Sequence, residues 1–256
     1  MKVFVRDRLF RRPSLQPLWE RLHGVSIVAM NYWGGARFES SGELWVLRRV
    51  VVPRIRHGVV FDVGANDGRY ALAAHAILGD RVRQYCFEPA RASFDSLRQR
   101  VQGVRSIQSF DFGFSDREET RTLHHTTDGH ALSSMYGDNP LTRFGATESV
   151  HLRTLTAFCG EQGIDGIDFL KVDVEGHELS VLRGAQDLID TRRIGVIQFE
   201  MGECNIVSRT FFRDFQELLG GHYDLFRVLP GGLRPIPAYR TLLEVFACVN
   251  YVAIAR

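Results

Sequence analysis

The chain has 256 residues, 45% of them hydrophobic and 24% charged, with 32 Lys and Arg against 30 Asp and Glu. That composition excludes intrinsic disorder, collagen and small disulfide scaffolds, and a chain this long buries about 70–75% of its unfolded surface without a metal or disulfide staple. The net charge of +2 lacks the concentrated basic excess of a nucleic-acid binder, so no nucleic-acid partner is expected.

Basic residues cluster only in "RDRLFRRP" near the N-terminus, which reads as a solvated tail, with membrane or partner contact as the alternative. Cys86, Cys159, Cys204 and Cys248 show no C-x-x-C spacing and read as thiols in a reducing compartment. No apolar run reaches the roughly 18 residues of a membrane span, and "FVRDRLFRR" is too charged for a secretory leader. A cytoplasmic protein without stable membrane insertion is expected. Composition leaves the oligomeric state open.

Residues 1–57 are irregular, apart from "SSGELWVLRRVVVPRI", which reads as a capped helix docking before the first strand. They are expected to form an annex to a domain spanning 58–256. "VVFDVG" (59–64) is a strand buried on both faces, leading into a helix over Arg69–Leu78 that stops at Gly79. A strand at 81–87, a helix over Arg91–Val101 and a strand at 104–110 follow. Residues 111–150 are polar and long for a loop, a pattern of functional lids, with room for a short hairpin.

The alternation resumes with a helix near 154–162, the strand "IDFLKVDV" (167–174), a helix over His177–Ile189 and the strand "RIGVIQFE" (193–200). A helix at 208–219, capped by Ser208, carries an apolar stripe of Phe211, Phe212, Phe215, Leu218 and Leu219. Two closing strands share a Pro/Gly-rich connection. Strands alternating with helices mean βαβ units, so the expected fold is α/β: a doubly wound, mostly parallel sheet of about seven strands with an antiparallel C-terminal edge.

In such sheets ligands bind at the carboxyl ends of the strands, near the topological switch point. After the first strand stands "DVGANDGRY", with Asp62, Gly64, Ala65, Asn66 and Gly68; after the second stands Glu88, placed to accept the hydroxyls of a ribose. A dinucleotide pyrophosphate favours G-x-G-x-x-G and a loop free of negative charge, whereas this loop carries Asp62 and Asp67. Those acids disfavour a nicotinamide oxidoreductase and tolerate a cationic ligand such as S-adenosylmethionine. The strand end "LKVDVEGHE" (170–178) places Lys171 and Asp173 on one side of an apolar strand, where buried charges must be paired or used.

Together "VVFDVGANDGRY", "FEP", "LKVDVEGHELSVLRGA" and "IQFE" resemble the successive motifs of the FkbM family of S-adenosylmethionine-dependent methyltransferases, over roughly residues 40–256, with "ALSSM" and "NYVAIAR" extending the likeness. The resemblance implies a class I methyltransferase (Rossmann-like) fold and methyl transfer to a hydroxyl of a natural product, sugar or glycan. It implies that Asp62, Gly64, Ala65, Asn66 and Gly68 line the methionine part, that Glu88 holds the ribose, and that Asp111 lies near the adenine. Ser133, Ser134 and Glu200 are the acceptor candidates.

A hydroxyl is a poor nucleophile and gains from a base that takes its proton. Asp173 is the first candidate, followed by Glu175 and His177; His124, His125 and His130 read as ordinary loop residues. Asp173 and Glu200 are the only reading of a hard-cation site, and no metal is expected. A non-catalytic scaffold on the same fold remains the rival reading, against which the acids at the strand ends argue.

Overall fold

A computed structural model describes residues 10–35, 37–126, 133–137 and 142–256. His130, with Ala131 and Leu132 of "ALSSM", lies outside the described residues. Helix α1 spans Gln16–Ala29. Helix α2, Glu43–Val46, continues in wider and tighter helical turns to Arg54. Then come β1 (Val59–Val63), α3 (Arg69–Leu78), β2 (Arg83–Phe87), α4 (Arg91–Arg100) and β3 (Ile107–Phe110).

The stretch after β3 carries β4 (Gly113–Phe114), β5 (Glu119–His125), β6 (Ser133–Ser134) and β7 (Ala146–Arg153). The chain returns through α5 (Leu155–Glu161), β8 (Ile167–Val172), α6 (Glu178–Arg183), α7 (Gln186–Asp190) and β9 (Ile194–Met201). It closes with α8 (Cys204–Ser208), α9 (Phe212–Leu219), β10 (Tyr223–Leu229), β11 (Gly232–Ile236) and β12 (Val249–Ala255).

The main sheet has the order β11-β10-β12-β9-β8-β1-β2-β3. Strands β3, β2, β1, β8 and β9 run parallel, and β12, β10 and β11 add antiparallel pairings at one edge. Every residue of β1 and β8 is buried, as central strands covered on both faces require. One face packs Phe61, Phe87, Phe114 and Phe158 in mutual edge and tilted ring contacts. The other face takes Val46, Leu47, Val50 and Val51 from the N-terminal helical run against Val60, Phe169, Val196 and Val252. Ser41 Oγ accepts the Glu43 amide at 3.2 Å, but the run starts from Gly42, left-handed at φ 104°, and no side chain caps it as the sequence suggested.

Four local expectations are corrected. The closing region forms three strands and not two, making an eight-stranded sheet, because the Pro-containing segment Gly232–Ile236 pairs with β10 at the free edge where proline is tolerated. Residues 111–150 hold more than a hairpin: β4, β7, β5 and β6 form a second sheet. The helix over His177–Ile189 divides into α6 and α7 at Gly184, which packs so closely on the Ser115 carbonyl that a Cβ has no room. Ser208 caps no helix. It ends α8, Arg209 turns left-handed at φ 55°, and α9 starts with Asp214 accepting the Phe211 amide at 2.8 Å. Phe211 then points outward, leaving Phe212, Phe215 and Leu219 as the buried stripe.

Candidate functional site

The order of the main sheet reverses between β1 and β8, so their carboxyl ends leave a crevice. Gly64 follows β1 with φ +84°, and a Cβ there would collide with the Asp173 carbonyl oxygen. Glycine is therefore what lets the loop after β1 lie against the end of β8. The β1–β2 register, with Val63 opposite Phe87, brings Glu88 beside that loop. Its two carboxylate oxygens accept the Asn66 and Ala90 amides, each at 2.8 Å. Burial pushes the Glu88 carboxyl up to about 7, against the pull of those two amides.

Two cavities open from this point. The first has apolar walls of Phe114, Leu123, Met135 and Leu152, with Glu88, Ser133 and His177 among its polar groups. The second is bordered by Glu43, Tyr70, Lys171 and Glu200. Gly64, Asn66, Asp173 and Glu175 border both.

Lys171 is 4% exposed, and its Nζ donates to Asp173 Oδ2 at 2.7 Å. Burial works against its ammonium, but Asp173, Glu43 and Asp62 outweigh that and raise its pKa. Its Nζ also lies 4.8 Å from the Tyr70 ring centre. Burial lifts the carboxyls of Glu43 to about 7 and Asp62 to about 6, with Lys171 opposing in both cases. The Tyr70 hydroxyl is buried without a hydrogen-bond partner among the described residues.

Glu175 holds a left-handed backbone at φ 52°, unusual for a residue with a side chain. Cys204 Sγ donates to its Oε2 at 3.2 Å, and Ser134 Oγ donates to its carbonyl at 2.9 Å. Burial, reinforced by the neighbouring Asp173, raises the Glu175 carboxyl to about 8. Glu178 shapes the same turn by accepting the Val174 and Gly176 amides at 3.0 and 3.1 Å. Glu200 is also raised, by burial first and then by Asp173 and Glu175.

Most of the residues singled out in the sequence meet here. Gly64, Asn66, Glu88, Ser133, Asp173, Glu175 and His177 border the first cavity, and Ala65 and Glu200 the second. Four placements differ from expectation. Asp62 borders neither cavity; its β1 position pairs with Lys171 of β8, so it belongs to the ion network below the crevice. Gly68 turns left-handed before α3 and packs on Leu97, where a Cβ would stand 2.7 Å from Cδ1. Asp111 is exposed after β3, outside both cavities. Ser134 is buried and reaches the crevice only through the Glu175 carbonyl.

His177 is 2% exposed, with Nε2 3.0 Å from Ser115 Oγ and Nδ1 3.2 Å from the Tyr136 hydroxyl. Burial and then Arg121 lower its pKa to about 4, so it is neutral near pH 7 and both its nitrogens are engaged. Sequence reading missed Glu43 and Tyr70. Glu43 looks like any first-turn acid of a helix, and Tyr70 like a core position of α3. Among the described residues, no three His, Cys, Asp or Glu side chains are grouped as metal ligands, and no helix is long and apolar enough to cross a membrane.

The methyltransferase FkbM domain matches residues 62–222. The 2-O-methyltransferase NoeI of Sinorhizobium fredii is 29% identical over 147 residues, covering 53% of this chain and 60% of that protein. The hexuronic acid methyltransferase AglP of Haloferax volcanii is 26% identical over 174 residues, covering 63% and 64%. The chain thus spans less than two thirds of the length of these curated relatives. Among solved structures, a methyltransferase FkbM from Methylobacillus flagellatus KT aligns with a TM-score of 0.44 and 14% identity, over 75% of this chain and 42% of that one. The domain match takes in the β1 loop, Glu88, the whole of β8 and the turn at Glu175: the chain belongs to the methyltransferase FkbM family.

Proposed function

We propose that this protein transfers a methyl group from S-adenosylmethionine to a hydroxyl oxygen of a small acceptor of sugar, glycan or natural-product type. The observation that carries this reading is the meeting of two unlike cavities at Asp173 and Glu175. The first suits an adenosine. Each Glu88 oxygen takes one amide and keeps lone pairs for a ribose hydroxyl, and Phe114, Leu123 and Leu152 give a flat base apolar walls. The acids at the seam suit a ligand carrying positive charge and would repel a pyrophosphate. When bound, S-adenosylmethionine supplies an electrophilic methyl carbon on a sulfonium.

The chain's own groups supply position and proton transfer. Lys171 fixes the Asp173 carboxylate from below, and the Gly64 contact fixes its backbone, so one wall of the crevice is rigid. Glu175 would take the proton of the acceptor hydroxyl as that oxygen displaces the sulfonium sulfur from the methyl carbon. A carboxylate raised to about 8 is a stronger base than an ordinary glutamate, and its affinity lies near the working pH. That ranks Glu175 ahead of Asp173 as the base, and removes His177, which is engaged at both nitrogens.

Glu200 and Tyr70 line the side from which the acceptor enters, and Ser133 lies at the rim of the first cavity. The 2-O-methyltransferase activity of NoeI supports a hydroxyl acceptor, and the hexuronic acid methyltransferase activity of AglP supports one of sugar type. Four free thiols support a reducing, cytoplasmic setting, and the small net charge supports a partner other than nucleic acid. The packing of Val46–Val51 on the sheet supports residues 1–57 as an annex to the 58–256 domain.

Isothermal titration with S-adenosylhomocysteine, with NADH as control, tests the reading. Micromolar binding of the first and silence from the second are expected. Binding of NADH alone, or of neither, overturns it.

A further inference from the structure

Helix α1 is built the wrong way round for an ordinary surface helix. At 100° per residue, Leu18, Leu22 and Val25 fall on one stripe, and Ile27, the helix's one buried residue, lies on the opposite side. The stripe is open to solvent, with Leu22 49% and Val25 67% exposed, and Val28 and Trp33 extend it at 62% and 56%. The far end of the helix is anchored to the body. Asn31 Nδ2 donates to the Ser41 and Val228 carbonyls at 3.1 Å, and Tyr32 is buried, with the Arg227 guanidinium 4.7 Å from its ring centre. The apolar stripe is therefore held outward by the fold.

Charge identifies what covers it. Residues 1–37 contain seven Lys and Arg against two Asp and Glu, a net of +5, while the remaining 219 residues are net −3. A second copy presenting the same stripe would bring two strongly basic segments together. An anionic surface is attracted to this segment, and it repels the rest of the chain, which orients the protein. An apolar stripe bearing Leu, Val and Trp beside Arg residues is the pattern of a helix lying in a membrane interface.

We propose that α1 docks this protein peripherally on an anionic phospholipid surface, with Leu18, Leu22, Val25 and Val28 entering the headgroup–acyl boundary. This surface is separate from the crevice and does not depend on its chemistry.

Co-sedimentation of the full chain with phosphatidylcholine vesicles, and with vesicles in which about one third of the lipid is phosphatidylglycerol, tests the proposal. Binding to the anionic vesicles at least about tenfold stronger than to the neutral ones is expected, with most of it lost between 0.1 M and 1 M NaCl as the screening length falls from about 10 Å to about 3 Å. The double variant Leu22→Glu/Val25→Glu should lose at least about tenfold in binding. Arg11→Gln/Arg12→Gln should lose roughly fivefold per arginine. Both should keep the wild-type affinity for S-adenosylhomocysteine, which also reports that they are folded. If the first variant does not fold, the arginine variant and the lipid and salt dependence of the wild type decide the matter. Equal binding to neutral vesicles, or no binding to anionic ones, overturns the proposal. So does a solution dimer, seen by sedimentation equilibrium, that Leu22→Glu/Val25→Glu disperses, since it assigns the stripe to a second copy.

Discussion

The two cavities that meet at Asp173 and Glu175 are opposite in chemistry. The first is walled by buried apolar side chains from the second sheet and holds a carboxylate, Glu88, already fixed by two amides. The second is bordered by carboxylates gathered around one buried ammonium, with Glu43 brought in by the N-terminal helical run. One is a shaped slot with a single polar anchor, and the other is an electrostatic basin. A site that takes two different molecules gains specificity from that contrast, because a group suited to either side pays a desolvation or repulsion penalty on the other.

Substitutions that touch one cavity, the other, or both can separate these roles. The largest effect is expected at the seam. Glu175→Gln keeps the shape and removes the proposed base, so turnover should fall roughly 10²–10⁴-fold while S-adenosylhomocysteine affinity stays within a few-fold by titration. An active Glu175→Gln enzyme would move the base to Asp173. Next comes Lys171→Met, confined to the second cavity. It strands the carboxylates of Asp173, Asp62 and Glu43 and should cost about 3–5 kcal/mol in denaturant unfolding. The deficit should shrink on acidification as the Glu43 and Asp62 carboxyls protonate; a deficit independent of pH would mean lost packing and not lost charge.

Glu88→Ala, confined to the first cavity, should weaken S-adenosylhomocysteine by about 1.5–3 kcal/mol, roughly 10–150-fold in Kd, with little effect on acceptor affinity. Unchanged affinity would separate Glu88 from the ribose.

The smallest effect is on pH dependence. Burial raises Glu43, Glu88 and Glu178 from 4.5 to about 7 and Glu175 to about 8, so the folded state holds protons that the unfolded chain has released. Stability from this source is complete below about pH 4.5 and is lost as pH rises through 7 to 8. His177, lowered from 6.5 to about 4, acts in the opposite sense, but only between those values. The melting temperature of the ligand-free protein should therefore decline from pH 6.5 to 8, by roughly 2–4 °C per kcal/mol lost. A flat or rising profile over that range would mean that the crevice is better hydrated than its geometry implies.

Much of this arrangement is legible in the residues. The fully buried runs at β1 and β8 announce central parallel strands, and glycine followed by an acid two strand ends apart announces the crevice. Lys171 and Asp173 fall on one side of their strand, as period-two alternation requires. What stayed hidden depends on contacts distant in sequence. Gly184 breaks a helix only because Ser115, far earlier in the chain, packs against it. Pro235 reads as a turn residue until the strand is seen to lie at a sheet edge. Glu43 enters the crevice because α2 docks on one face of the sheet, and nothing in its neighbours signals that. Leu123, Val150 and Leu152 are too widely spaced by polar residues to reveal that β5 and β7 wall a cavity.

Asp173 and Glu175 are the two acids among the four residues that border both cavities. Occupants of the two sides cannot bind independently. A positive charge lodged on one side draws a proton off Glu175, and that changes the hydrogen-bonding partner offered on the other. By reciprocity, whatever factor one occupant imposes on its neighbour's affinity is imposed back on itself. If donor and acceptor occupy the two sides as proposed, cooperativity between them, and the strength with which spent product holds back the next round, are set at this shared border.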